Sequence, residues 1–195
     1  MRVAVGCSYT QGIGIEFSQT YPVLLGYENW ARAGSDIEFS LWQAHRAVEA
    51  GATDILFQIT SWDRITLAAE DRHNFSANRP YTGEPKYEHY TIADYATGDD
   101  PYVKWLYEFQ VMTNWRTENL AYRMLELNSW AQSRGCSIRW FDWLQRHGIA
   151  HHPSLKPLLP PQSVLDWLGT DYFVDEYYHV NSEGHERIAR EYLER

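Results

Sequence analysis

Apolar residues first gather at Val3, Ala4 and Val5, a short run that leads directly into the glycine-rich segment Gly6-Cys7-Ser8-Tyr9-Thr10-Gln11-Gly12-Ile13-Gly14. A β-branched pair ahead of glycines predicts a buried strand over Arg2–Gly6 that ends in a tight loop. From residue 35 the period changes. Ile37, Leu41, Ala44 and Val48 recur at helical spacing, Ser35 or Asp36 stands where an N-cap belongs, and Gly51 marks the C-terminal stop. Asp54–Ile59 then has the apolar density of an interior parallel strand, so strand, helix and strand follow in the order of a crossover unit.

The same alternation returns later in the chain. A helix is predicted from about Trp115 to Arg134, with Leu120, Met124, Leu127 and Ala131 on one face, followed by a strand over Cys136–Phe141. A last helix starts at Asn181, a good N-cap, and presents His185, Ile188, Ala189, Tyr192 and Leu193 on one face. Alternating strands and helices predict a three-layer α/β/α sandwich around a central parallel sheet, with reactive residues just beyond the carboxyl ends of the strands. Between Thr60 and Asn114 the period fades into Pro80, Gly83, Pro85, Gly98 and Pro101, interleaved with tyrosine and tryptophan. One domain over 1–195 with an aromatic-rich insertion at about 61–114 is the expected organisation. A second irregular stretch, His151–Gln162, holds four prolines.

Composition narrows the function. With 195 residues there is room for one such domain, and 44% apolar with 22% charged residues is ordinary for a globular chain. The 17 basic residues against 26 acidic ones leave a net charge of −9, which repels a phosphate backbone and argues against nucleic acid or an anionic membrane as partner. Neither a signal peptide nor a span of apolar residues long enough for a bilayer is expected, which points to the cytoplasm, and Cys7 and Cys136 are expected as reduced, buried thiols. Aromatic residues make up 15% of the chain, enough for some to wall a binding surface.

Chemistry is concentrated at the two ends. Ser8 directly follows the first strand, where turning backbone can aim N–H groups at an anion. For an isolated G-x-S tripeptide a turn-capping serine is the commoner reading. The other end supplies what a nucleophile needs: Asp175-Glu176-Tyr177-Tyr178-His179-Val180-Asn181-Ser182-Glu183-Gly184 sets acids and a histidine just ahead of a capped helix.

These segments resemble the ordered blocks of the SGNH/GDSL hydrolase superfamily, in a divergent form similar to members carried by bacteriophages and bacteria. Gly6-Cys7-Ser8-Tyr9-Thr10-Gln11-Gly12 is similar to the first block, Asn29-Trp30-Ala31-Arg32-Ala33-Gly34 to the second, and His179-Val180-Asn181-Ser182-Glu183-Gly184 to the last. The resemblance implies a flavodoxin-like SGNH-hydrolase fold and a serine esterase or deacylase that uses no metal or organic cofactor. It implies Ser8 as nucleophile, His179 as base, and Asp175 or Glu176 as the acid that orients the imidazole. Glu176 has the family's spacing and Asp175 the usual chemistry, and Asp175 is preferred. The backbone N–H groups of Ser8 and Gly34 would form the oxyanion hole. The family's third donor, an asparagine, is missing from Gln58-Ile59-Thr60-Ser61-Trp62-Asp63, where the hydroxyls of Thr60 or Ser61, or Asn114 from the insertion, are the substitutes.

The expected substrate is a small ester, with an O-acetylated carbohydrate preferred. The rival is a scaffold that lost its activity with the missing donor and serves as a binding or structural protein, for instance in a phage particle. Other signals are bland. His147, His151 and His152 match no zinc spacing, and His185 belongs to the packed face of the last helix.

Overall fold

The computed structural model describes residues 1–60, 65–70, 87–92, 114–144, 152–175 and 178–193, with backbone only at 65–70, 87–92, 114 and 115. Three of its strands are those the hydrophobic pattern predicts: β1 (Arg2–Val5), β3 (Asp54–Ile59) and β6 (Ser137–Asp142). A two-residue edge strand, β2 (Glu28–Asn29), is too short for any period to reveal. All four pair in parallel in the order β2-β1-β3-β6, with Val5 opposite Phe57 and Ile59 opposite Asp142.

Both faces of this sheet are covered, which is why its strands read as continuous apolar runs. Val3, Val5, Ile55, Phe57, Ile59 and Trp140 pack on one side against α3 (Ile37–Glu49) and α4 (Asn114–Ser133). Ala4, Leu56 and Phe141 point the other way and meet Tyr21 of α2 (Tyr21–Leu24), Val164 and Leu168 of α5 (Val164–Leu168), and Val180 and Ile188 near the C-terminus. The alternation along each strand is the period of two that a pleated backbone imposes. Asp36 is the cap of α3, its carboxylate accepting from Phe39 N–H at 2.8 Å. Arg116 of α4 lies 3.7 Å from that carboxylate and 3.7 Å from Glu38, so the two helices meet through buried charge as well as apolar surface.

The last helix, α6 (Ser182–Arg187), starts at Asn181, whose side chain accepts from Gly184 N–H at 2.9 Å, and runs on as a π-helical turn over Ile188–Leu193. A Cβ at Gly184 would lie 2.9 Å from Tyr172 Cβ and overlap Val180, so this glycine lets α6 approach the preceding segment. Within the insertion, β4 (Ile65–Glu70) and β5 (Tyr87–Ile92) pair antiparallel, Ile65 opposite Ile92; the rest of it, with most of its aromatic residues, lies outside the described residues. Cys7 and Cys136 are both buried free thiols. No described helix is long and apolar enough to cross a membrane.

Candidate active site

The chain leaves β1 through Gly6 and turns at once into α1 (Ser8–Gln11), with Cys7 as N-cap and Ser8 as first helical residue. That position leaves the Ser8 N–H without an intrahelical acceptor, at the positive end of a short run of aligned peptides. Gly6 is required by close approach: a Cβ there would stand 2.6 Å from Gln58 Oε1. Gln58, fully buried on β3, holds the turn from below, accepting from Cys7 N–H at 3.0 Å and from the Thr10 hydroxyl at 2.9 Å.

The segment after β2 is stitched to the same turn. Asn29 Nδ2 donates to Thr10 O at 2.8 Å while its Oδ1 accepts from Ala31 N–H at 3.1 Å. Arg32 N–H and the Ser35 hydroxyl both donate to Gly6 O, at 3.1 and 2.8 Å, and so bracket Gly34 beside the start of α1. Gly34 has φ of 76°, left-handed backbone that a residue with a Cβ enters only with strain. Among the described residues its N–H has no backbone acceptor. At the carboxyl end of β3, Thr60 is buried and its hydroxyl has no hydrogen-bond partner among the described residues.

The opposite end of the chain closes over this edge. Asp175 Oδ2 and His179 Nδ1 are 2.6 Å apart, and Asp175 Oδ1 accepts from His179 N–H at 3.1 Å. A carboxylate accepting at Nδ1 assigns the ring proton to that nitrogen and leaves Nε2 with its lone pair. Tyr178, with φ of 65°, is the one described non-glycine residue in left-handed backbone, and it immediately precedes His179. Such strain, roughly 1–3 kcal/mol, is held in place only by surrounding structure. That structure includes a 3.3 Å bond from Tyr178 N–H to Asp175 O and an edge contact of its ring with Phe173. The His179 ring rests against Tyr9, the neighbour of Ser8, with centroids 5.3 Å apart.

No family model matches the sequence, and no curated protein matches it. Solved structures do match across nearly the whole chain. TesA is similar over 96% of this chain and 93% of its own, at TM-score 0.56 and 12% identity. EstA, an esterase from a Pseudoalteromonas species, in a structure inhibited by monoethylphosphonate, is similar over 96% and 92%, at TM-score 0.54 and 12% identity. A protein assigned to the G-D-S-L lipolytic family from Desulfitobacterium hafniense is similar over 96% and 94%, at TM-score 0.53 and 12% identity. The chain has the SGNH/GDSL-hydrolase fold.

Within this SGNH fold, Ser8, Gly34, Thr60, Asp175 and His179 all follow strands or precede the final helix on one edge of the sheet. Glu176 and Ser61 lie outside the described residues, and of Asn114 only the backbone at the start of α4 is described. His152 pairs with Glu118 at 3.0 Å, while His147 and His151 are not described. His185 is buried and accepts from Tyr21 N–H at 3.2 Å, with burial lowering its imidazole to about 4. It is a neutral packing group. Sequence reasoning missed three residues that shape this candidate site: Gln58 under the turn, the strained Tyr178, and Trp143, buried against Tyr9. The signal for Gln58 was present, because an amide in a strand otherwise apolar on both faces needs a partner.

Proposed function

We propose that this chain is a serine hydrolase of the SGNH/GDSL superfamily that cleaves esters through an acyl-enzyme. The observation that carries the reading is the Asp175–His179 pair at 2.6 Å, packed on the residue beside Ser8. In the first half-reaction Ser8 Oγ attacks the ester carbonyl carbon as its proton passes to His179 Nε2, and Asp175 stabilises the imidazolium. The oxyanion accepts from the N–H groups of Ser8 and Gly34 and from the Thr60 hydroxyl, which takes the place of the family's asparagine. The tetrahedral intermediate collapses with loss of the alcohol, which takes its proton from His179. Water then attacks the acyl-enzyme by the same route, releasing the acid and restoring Ser8. A small, O-acetylated carbohydrate is the preferred substrate, supported by the aromatic residues of the 61–114 insertion.

The absent asparagine favours a second reading, a scaffold without activity that binds rather than cleaves. Reaction with a fluorophosphonate, a relative of the phosphonate that inhibits EstA, separates the two. Stoichiometric labelling of the native chain that disappears in Ser8→Ala, together with release of acetate from acetylated sugars or nitrophenyl acetate, is expected. No labelling and no hydrolysis would leave the scaffold.

A further inference from the structure

Gln58 is a primary amide buried completely in an apolar core, a placement that costs free energy unless its donors and acceptor are used. Its Nε2 donates to Ile59 O at 2.9 Å, which ties the side chain to the end of its own strand. Its Oε1 accepts from Cys7 N–H at 3.0 Å, from the Thr10 hydroxyl at 2.9 Å and, more weakly, from the Cys7 thiol at 3.3 Å. A carbonyl oxygen cannot donate, so Thr10 spends its single proton on Gln58. The 2.6 Å contact between Thr10 Oγ1 and Tyr21 OH is therefore donated by Tyr21. The direction of every bond is thus determined. One oxygen, anchored to the carboxyl end of β3, gathers the residues on both sides of Ser8 from the N-cap to the third residue of α1.

We propose that Gln58 is a positioning residue for the nucleophile, holding the Cys7-to-Thr10 turn so that the Ser8 hydroxyl and N–H face the ester together. The proposal rests on the esterase reading above. Gln58 touches neither substrate nor reacting atoms and acts through the peptide it holds. Losing its acceptor frees the N-cap N–H and the Thr10 hydroxyl, and misplacing a reacting group by about 1 Å costs on the order of 10²-fold in rate.

Two variants test the role in the full chain with nitrophenyl acetate. Gln58→Met keeps the length of the side chain and removes both polar functions. A fall in kcat of about 10- to 100-fold with KM changed less than about threefold is expected, with a matching fall in the rate of fluorophosphonate labelling. Gln58→Glu carries a pH signature. Protonated, its carbonyl oxygen accepts from Cys7 and Thr10 while its O–H donates to Ile59 O, reproducing the amide. Ionised, it turns a negative oxygen on that carbonyl. The ratio of its kcat/KM to that of the unaltered protein is expected to be highest at acid pH and to fall as pH rises, since the ratio removes any pH dependence common to the two proteins. A Gln58→Met protein with unchanged kcat, or a Gln58→Glu ratio that stays flat through the pH at which the new carboxyl ionises, followed by the pH dependence of that variant's stability, overturns the proposal; if Gln58→Met does not fold, the Glu ratio through that ionisation decides. An unaltered protein that neither labels nor hydrolyses sinks the esterase reading and the positioning role with it. An active protein indifferent to Gln58 sinks the positioning role alone.

Discussion

Tyr9 and Trp143 stack face to face, their ring centroids 4.7 Å apart and their planes 4° from parallel. Trp143 also stacks on Tyr21, and Tyr21 on His185, at centroid distances of 6.5 and 5.5 Å. With His179 against the other end of Tyr9, a column of rings joins the two histidines of the C-terminal segment through the N-terminal segment. Aromatic pairs contribute about 0.5–1.5 kcal/mol beyond their buried area, and their flat faces restrict rotation. Tyr9→Leu keeps apolar volume and removes the flat face. We expect kcat to fall about 3- to 10-fold, the rate equivalent of that energy, with KM little altered. Steady-state kinetics on nitrophenyl acetate check this, and an unchanged kcat would remove Tyr9 from the positioning of His179.

Asp175→Asn leaves the shape of the site and removes the charge that assigns the imidazole proton to Nδ1. A loss of roughly 10³- to 10⁴-fold in kcat is expected, as for a triad whose base takes the wrong tautomer. Glu176→Gln is expected to retain most activity. The reverse ranking would give the acid's role to Glu176.

Thr60→Val separates catalysis from stability. The buried hydroxyl, without a partner among the described residues, is a cost to the folded state, so its replacement by a methyl is expected to raise stability by about 1 kcal/mol in denaturant titration. If Thr60 serves as the proposed oxyanion donor, the same change lowers kcat about 10²- to 10³-fold. A Thr60→Val protein of full activity would show that two backbone N–H groups suffice.

Asp142 and His185 make opposite demands on pH. Burial pushes the Asp142 carboxyl up to about 7, helped by the nearby Asp166 charge and opposed by N–H bonds from Leu144 and Trp143. Between its unfolded value near 3.8 and about 7, the folded state keeps a proton that the unfolded chain releases, so stability falls as pH rises. His185 is pushed down from 6.5 to about 4, so the unfolded chain binds a proton first and stability falls as pH drops through that window. The two dependences largely cancel. Asp142→Asn removes one of them: denaturant titrations should then show roughly 3 kcal/mol of added stability from pH 4 to pH 6.5, with the largest gain over the unaltered protein above pH 7. Identical pH profiles for the two proteins would contradict it.

Elements with a strong period were legible in the sequence. The α3 helix lies at Ile37–Glu49 with Asp36 as cap, β3 lies at Asp54–Ile59 as read, and α4 and β6 are displaced by one residue from the predicted bounds. The short pieces α2, α5 and β2 carry too few residues for a period to emerge. They form because neighbours bury them, as when Tyr21 of α2 lies under Phe141, Trp143 and His185. In the candidate site, the resemblance to the SGNH blocks nominated Ser8, Gly34, Asp175 and His179. It left Asp175 and Glu176 unresolved, because adjacent acids in a loop differ only in how the backbone turns.

Local sequence alone therefore determined the strands and long helices and the parallel sheet they imply, and its resemblance to the SGNH blocks named candidates for nucleophile, base and acid. Tertiary structure decided the contacts that surround them. The left-handed backbone at Tyr178 turns His179 back onto Asp175, the amide of Gln58 reaches across 51 positions of sequence to hold Cys7, and Tyr9 links Trp143 to His179 through stacked rings. The first is a contact within one loop whose backbone turn the residue types do not reveal. The other two join segments far apart in sequence, and such partners are known only once the sheet has brought those segments together.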